Sequence, residues 1–178
     1  MKNKQSPAEV ARKNFIIHKN RVLIEASMLG LTAITFLENQ EQPADKPGNP
    51  TQEQVLARCA QQLTEYYQGS RRVFDLPIDW SILPPFRRRA LQATARIPYG
   101  SVITYGALAN AAGNAAAARA AGGALAHNPW GIVVPCHRVV GADGSLHGFS
   151  APGGLDSKAR LLSLEGLEII DGRVQFNT

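Results

Sequence analysis

Ile132-Val133-Val134-Pro135-Cys136-His137-Arg138-Val139-Val140 is the stretch around which the rest of the chain is organised. The apolar, β-branched run predicts a buried strand, and Pro135 ends it by removing a backbone donor and fixing φ, so that a thiol is presented at a strand end. A free cysteine is only slightly ionised at neutral pH and becomes a useful nucleophile when a histidine or another cationic partner stabilises its anion. Neighbouring side chains of a strand point to opposite faces, so Cys136 and His137 can act together only across a sharp turn or a bridging water. By itself a Cys-His pair is more often a buried structural cysteine beside a core histidine.

Working upstream, Thr104 is placed to cap a helix over Tyr105 to Ala112, and Gly113 breaks it. Asn114 is expected to cap a second helix reaching about Leu125, which makes a helix-turn-helix. Around Arg119 the second helix carries Ala115, Ala116, Gly122 and Gly123 at helical spacing, so one long side chain stands on a bare ridge. Paired glycines cost a helix about 1 kcal/mol each relative to alanine. Such a ridge suits either a DNA minor groove, with Arg119 entering the base stack, or a tight helix-helix contact with Arg119 in solvent. Before it, Phe86 to Thr94 predicts a helix with Arg87, Arg88 and Arg89 on its outer side, as a solvated face or a phosphate edge, and Pro98 ends it. Downstream, Gly141 to Gly144 is a turn, Gly148 to Gly154 a glycine-rich loop, and Asp156 to Glu165 a helix closed by Gly166. Glu165 would oppose the helix dipole there unless a cation compensates, and His137 is the candidate.

The first half carries no visible chemistry. Residues 1–13 are polar and are expected to form a mobile arm, and Phe15 to Leu37 predicts an antiparallel meander with a turn at Gly30. Residues 39–50 are a loop. Thr51 and Gln54 then predict a capping box for a helix whose apolar stripe is Val55, Leu56, Cys59, Leu63 and Tyr66, with Gly69 at its end. Val73 to Ile78 is an edge strand or an extended connection, because it holds Pro77. His18 is expected at a surface turn.

Composition narrows the classes. The chain has 178 residues and two cysteines, Cys59 and Cys136, too few for a disulfide framework or a cysteine metal cluster, so a reducing cytoplasm and no metal are expected. No apolar run suits a signal peptide or a membrane span. The net charge is +5 and it is uneven: residues 86–178 hold nine Lys and Arg against five Asp and Glu, residues 1–85 ten against nine. The basic excess accompanies the motifs and permits a polyanionic partner.

The ordered set Ile97-Pro98-Tyr99-Gly100, Thr104-Tyr105, Ala118-Arg119-Ala120, Asn128-Pro129, Pro135-Cys136-His137-Arg138-Val139, Gly148-Phe149-Ser150 and Gly153-Gly154-Leu155 resembles the O6-alkylguanine-DNA alkyltransferases. The likeness runs from about Phe86 to Gly166 and is loose before that. It implies an α/β (α+β) protein: a small N-terminal antiparallel sheet plus helix over 1–84, and a helical domain with the helix-turn-helix and the cysteine over 85–178. It also implies a single, irreversible alkyl transfer to Cys136 from O6-alkylguanine in double-stranded DNA, by a monomer without cofactor or metal. In the roles so implied, His137 acts on Cys136 through a water and Glu165 supports His137 as an imidazolium. Tyr105 donates to guanine N3, Asn128 braces the cysteine turn, and Arg119 fills the space of the flipped base. The backbone at Cys136, Val139 and Ser150 reads the guanine edge, with Lys158, Phe149, Trp130 and Gly131 around the pocket.

Four features depart from the family pattern: Phe149 where tyrosine is frequent, Leu91 for tryptophan, Trp130-Gly131 for a proline-containing pair, and an inserted Ala151-Pro152. A proline that stiffens the loop over the alkyl group predicts a preference for methyl over benzyl. Two other classes compete. A lesion-binding relative without catalysis would lack the cysteine, and a helix-turn-helix transcription regulator would need side chains that this ridge lacks to read the major groove.

Overall fold

A computed structural model describes residues 9–37 and 43–175. Most of the arm expected at the N-terminus and part of the loop expected at 39–50 lie outside the described residues. Strands β1 (Ala11–Ile17), β2 (Asn20–Ser27) and β3 (Gly30–Leu37) form an antiparallel meander in that order. The first hairpin turns at His18 and Lys19, both at positive φ, as a two-residue turn that follows strand twist requires. At the second, a Cβ on Gly30 would run into the Pro77 carbonyl, which accepts from Leu31 N–H at 2.9 Å, so glycine is needed for this close approach.

Helix α1 (Pro50–Tyr67) lays Val55, Leu56, Cys59, Leu63 and Tyr66 into the core, the stripe read from its spacing. Its capping box is Asn49 with Gln52, not Thr51 with Gln54, because Pro50 starts a helix without needing its missing N–H. Gln52 also donates to the carbonyls of Glu9 and Ala26, fastening the helix to β1 and β2. Residues 73–78 form the extended connection; only Ile78 bridges to β3, beside Leu31.

The C-terminal half holds α2 (Pro85–Thr94), α3 (Tyr105–Ala111), α4 (Ala118–Ala126) and α5 (Gly154–Leu164). Helix α4 begins three residues later than a cap at Asn114 would place it. The N–H groups of Gly113 and Asn114 close α3 on the carbonyls of Asn110 and Ala109 as a left-handed C-terminal cap, and Asn114 O accepts Ala117 N–H in a single turn that precedes α4. Helix α5 begins two residues before Asp156. Two of the three arginines on the outer side of α2 are anchored to the protein: half-buried Arg88 donates to Leu83 O, and exposed Arg89 donates through Nε to Ala112 O at the end of α3.

Strand β4 (Ile103–Thr104) pairs in parallel with β5 (Val139–Val140), so the segment entering the helix-turn-helix lies beside the segment leaving the cysteine. A short hairpin of β6 (Ile169–Ile170) and β7 (Arg173–Val174) ends the described chain. Among the described residues no helix is long and apolar enough to cross a membrane.

The two halves share one core, and Trp130 joins them. Its indole is fully buried against Trp80, with ring centroids 5.0 Å apart, and donates to Leu31 O of β3 at 2.9 Å. Trp130→Phe removes that bond and leaves a cavity, so unfolding in urea should show a loss of about 2–3 kcal/mol; unchanged stability would mean that the indole does not tie the sheet to the C-terminal half.

Candidate active site

The run Ile132-Val133-Val134 is not a strand. Gly131 and Val134 make an isolated bridge, Val134 N–H returns to Trp130 O at 2.8 Å, and Ile132 sits at φ +74. Positive φ is a strained conformation for a β-branched residue and persists only where its surroundings over-determine it. Asn128 supplies much of that constraint: its amide donates to Val134 O at 2.8 Å and its carbonyl accepts Trp130 N–H at 3.1 Å. Pro135, at φ −80 and ψ 68, then makes an inverse γ-turn closed by Cys136 N–H on Val134 O at 2.8 Å. One 3₁₀ turn, Cys136–Arg138, leads into β5. Cys136 therefore stands on a tight turn ahead of a strand, so the strict alternation of an extended backbone does not hold between Cys136 and His137.

His137 is wholly buried, and its Nε2 lies 2.9 Å from Glu165 Oε1. Glu165 is the C-cap of α5. Its carboxylate also accepts from Arg138, Nε at 2.9 Å to Oε2 and Nη2 at 2.8 Å to Oε1, from Gly100 N–H at 3.0 Å and from Tyr66 Oη–H at 2.7 Å. Arg138 further donates to Ile97 O at 2.6 Å. Burial alone would raise the Glu165 carboxyl, but donors from His137 and Arg138 overcome it and hold it at about 2. The cation that offsets this carboxylate is thus Arg138 and not, as expected, His137: burial, reinforced by Arg138 and Lys158, lowers the imidazole against the pull of Glu165. A guanidinium cannot shed its charge in this way.

Because the ionised Glu165 can only accept, His137 must carry its proton on Nε2, which makes Nδ1 the acceptor. Nδ1 is buried without a hydrogen-bond partner among the described protein groups. Burial raises the Cys136 thiol, while the Asn128 amide, Lys158 and the backbone N–H groups of Cys136 and His137 pull it down. The resting pair is accordingly thiol and neutral imidazole, and the expected imidazolium belongs only to a reacting state. Cys59, by contrast, is packed in the core with burial pushing its thiol up to about 12.

Lys158 is fully buried, donates to Val139 O at 2.6 Å and to His147 O at 2.7 Å, and is brought down by burial to about 8. Tyr105 Oη–H donates to the same His147 carbonyl at 3.1 Å. Thr104 caps α3 by accepting Ala107 N–H. Arg119 is exposed in the first turn of α4; Ala115 and Ala116 are exposed in the turn before it, not on the helix. Gly123 is open, but Gly122 faces inward, where a Cβ would meet the Tyr105 ring at 3.7 Å. The bare ridge is therefore shorter than the sequence suggested, and Gly122 belongs beside Tyr105.

Phe149, Gly131, Ala151 and Pro152 line a cleft of about 380 Å³, closed on its other side by His18, Phe36 and Tyr67. Ser150 is exposed at a neighbouring depression. Trp130, expected at the pocket, lies in the core, since its large apolar ring and single N–H are satisfied there. Tyr66 was assigned only to packing, although a hydroxyl on a buried stripe needs a partner. Arg138 and Tyr99 belong to the motifs Pro135-Cys136-His137-Arg138-Val139 and Ile97-Pro98-Tyr99-Gly100, whose spacing carries no link to Glu165.

Comparison with known proteins supplies the family. Models described as 6-O-methylguanine DNA methyltransferase, ribonuclease-like domain and DNA binding domain, match residues 21–80 and 85–167. A methylated-DNA--protein-cysteine methyltransferase of Mycolicibacterium paratuberculosis is 41% identical over 135 residues, covering 76% of this chain and 79% of the relative. One of Methanosarcina acetivorans is 35% identical over 148 residues, covering 82% and 91%. The crystal structure of Mycobacterium tuberculosis O6-methylguanine methyltransferase superposes with a TM-score of 0.73 at 33% identity, covering 88% of this chain and 93% of that one. A structure of the M. tuberculosis protein in complex with DNA gives 0.69 at 33% identity, covering 88% and 91%. Matches that span both halves of the chain and include the cysteine turn leave one assignment: this chain belongs to the 6-O-methylguanine DNA methyltransferase family.

Proposed function

We propose that this protein repairs DNA by moving an alkyl group from O6 of guanine to Sγ of Cys136, once per molecule. The observation that carries the proposal is the wiring of His137, the residue after Cys136: Nε2 is held on Glu165, and buried Nδ1 is left without a partner among the described groups. The thiol proton passes to Nδ1 through a bridging water, and the thiolate attacks the alkyl carbon. The bond between that carbon and O6 breaks, with its electrons going to the guanine ring. Tyr105, turning from His147 O toward guanine N3, offsets the charge developing there. The product is a thioether with no ready leaving group, so the protein is consumed. A neutral thiol at rest fits this chemistry, since the anion forms only when a substrate is in place.

The lesion reaches the sulfur by leaving the duplex. Residues 85–178 form the DNA-binding domain in this proposal, and residues 1–84 form a second domain that supports the site. Thr104 starts α3 on the groove side, Ala115, Ala116 and Gly123 leave the approach open, and Arg119 occupies the vacated position. Gly122 keeps Tyr105 close to α4. The backbone of Cys136, Val139 and Ser150 reads the base edge, and Phe149 and Gly131 border the alkyl group. Lys158 fixes the spacing of Val139 and His147. A lesion-binding role without transfer is disfavoured by the thiol and its relay.

Flipping costs a few kcal/mol that only a duplex substrate demands, so Arg119→Ala should slow transfer from duplex DNA about 10–100-fold and leave transfer from free O6-benzylguanine within about twofold. Equal losses on both substrates would assign Arg119 another task. Cys136→Ser should still bind lesion-containing duplex in a mobility shift while transferring nothing; residual transfer would remove Cys136 as acceptor.

The inserted pair is bonded into the start of α5, with Ser157 Oγ–H on Pro152 O at 2.6 Å and Gly154 N–H on Ala151 O at 3.0 Å, and this supports a stiff loop that favours methyl. Deleting Ala151-Pro152 should raise the ratio of benzyl to methyl transfer rates. A ratio that stays level or falls would show that loop stiffness does not set adduct size.

A further inference from the structure

One side chain of the N-terminal half enters the relay directly. Tyr66, in the last turn of α1, is fully buried, and its Oη donates to Glu165 Oε1 at 2.7 Å while lying 3.5 Å from His137 Nε2. The same carboxylate oxygen is the acceptor for His137. We propose that Tyr66 is a positioning residue for alkyl transfer, which sets the basicity of His137 by sharing the carboxylate oxygen on which the imidazole depends. The inference rests on the transfer reaction proposed above and assigns a part of it to the half of the chain without DNA-binding motifs.

The geometry gives the direction. A carboxylate oxygen that already accepts a hydroxyl proton has less charge to offer an imidazolium, so Tyr66 keeps His137 neutral and Nδ1 available. Burial raises the Tyr66 hydroxyl strongly, with Glu165 adding to the rise, so the group stays a donor at every pH at which the protein works. The other charged or titratable groups facing His137 are Cys136 and Arg138 on its own turn and Glu165 and Lys158 from α5. Tyr99 packs edge-on to Tyr66 with centroids 6.2 Å apart, holds α5 through Leu164 O at 2.8 Å, and lies under the guanidinium groups of Arg72 and Arg138. None of these can replace the lost donor without moving: Arg138 already spans both carboxylate oxygens and Ile97 O, and Gly100 N–H is on Oε2.

The test is the pH profile of single-turnover transfer from free O6-benzylguanine, a substrate that excludes effects on DNA binding. In Tyr66→Phe the packing ring remains and only the donor is lost. Glu165 then stabilises the imidazolium better, and the acid limb of the profile should move to higher pH by about half a unit or more. Gln61→Ala, on the exposed side of the same helix and outside both the relay and the cleft, should keep the parental limb. Incorporation of a fluorotyrosine at position 66, a stronger donor, should move the limb the other way, and it keeps the proposal testable if the phenylalanine variant folds poorly. A limb that stays in place in Tyr66→Phe and in the fluorotyrosine protein, whatever happens to the melting temperature, would reduce Tyr66 to a packing residue. Absence of transfer by the parental protein would instead overturn the proposed function itself.

Discussion

The buried carboxylate of Glu165 is the constraint on which the rest of the site depends. A carboxylate at a helix C-terminus meets an unfavourable dipole, and removing it from water is costly unless it is neutralised and saturated with donors. Here both conditions are met at once, by a forked Arg138 guanidinium and by donors from Tyr66, His137 and Gly100. Those donors come from α1, from the turn after α2, and from the cysteine turn, while the carboxylate caps α5. Satisfying one charge therefore fixes four segments relative to one another, and among the things it fixes is the tautomer of His137. The electrostatic need of a single group becomes the orientation of a base.

The same logic extends toward the DNA side. The carbonyl of His147 gathers the Lys158 ammonium and the Tyr105 hydroxyl, and the β4–β5 ladder holds the residue before Tyr105 against the strand that leaves the cysteine turn. Helix α4 begins one closed cap away from α3, so Arg119, Tyr105 and Cys136 are positioned by short backbone links and not by long loops. In the cysteine turn the strained residue is Ile132, where the Asn128 amide clamps both ends of the bend.

Elements whose signal is periodic were legible in the sequence. The meander, the stripe of α1 and the helical character of 86–94 followed from spacing, and the motif set from Ile97 to Leu155 named the chemistry. What failed was local. Ile132-Val133-Val134 has strand composition, yet Asn128, four residues upstream, ties its ends into a turn, and no propensity of the run itself carries that information. Asn114 resembles a helix start, but the turn on its carbonyl is a single one and α4 begins only after it. Trp130 stood among pocket residues in the motif and proved to be the indole that ties the sheet to the C-terminal half. Arg138 and Tyr66 reach Glu165 across 27 and 99 residues, and neither is marked by its neighbours in sequence as a partner of that carboxylate. A fixed cation there also lowers His137, so the protonation of the imidazole follows from the placement of Arg138.

The central claim is that Cys136, and no other group, receives the alkyl carbon in a reaction that ends the protein's working life. The most direct measurement is intact mass and peptide mapping after incubation with an excess of duplex DNA containing O6-methylguanine. The expected result is a gain of one methylene unit per molecule, located entirely on Cys136, with the number of repaired lesions equal to the number of protein molecules. A methyl group found on Cys59, or repaired lesions exceeding protein molecules, would contradict it.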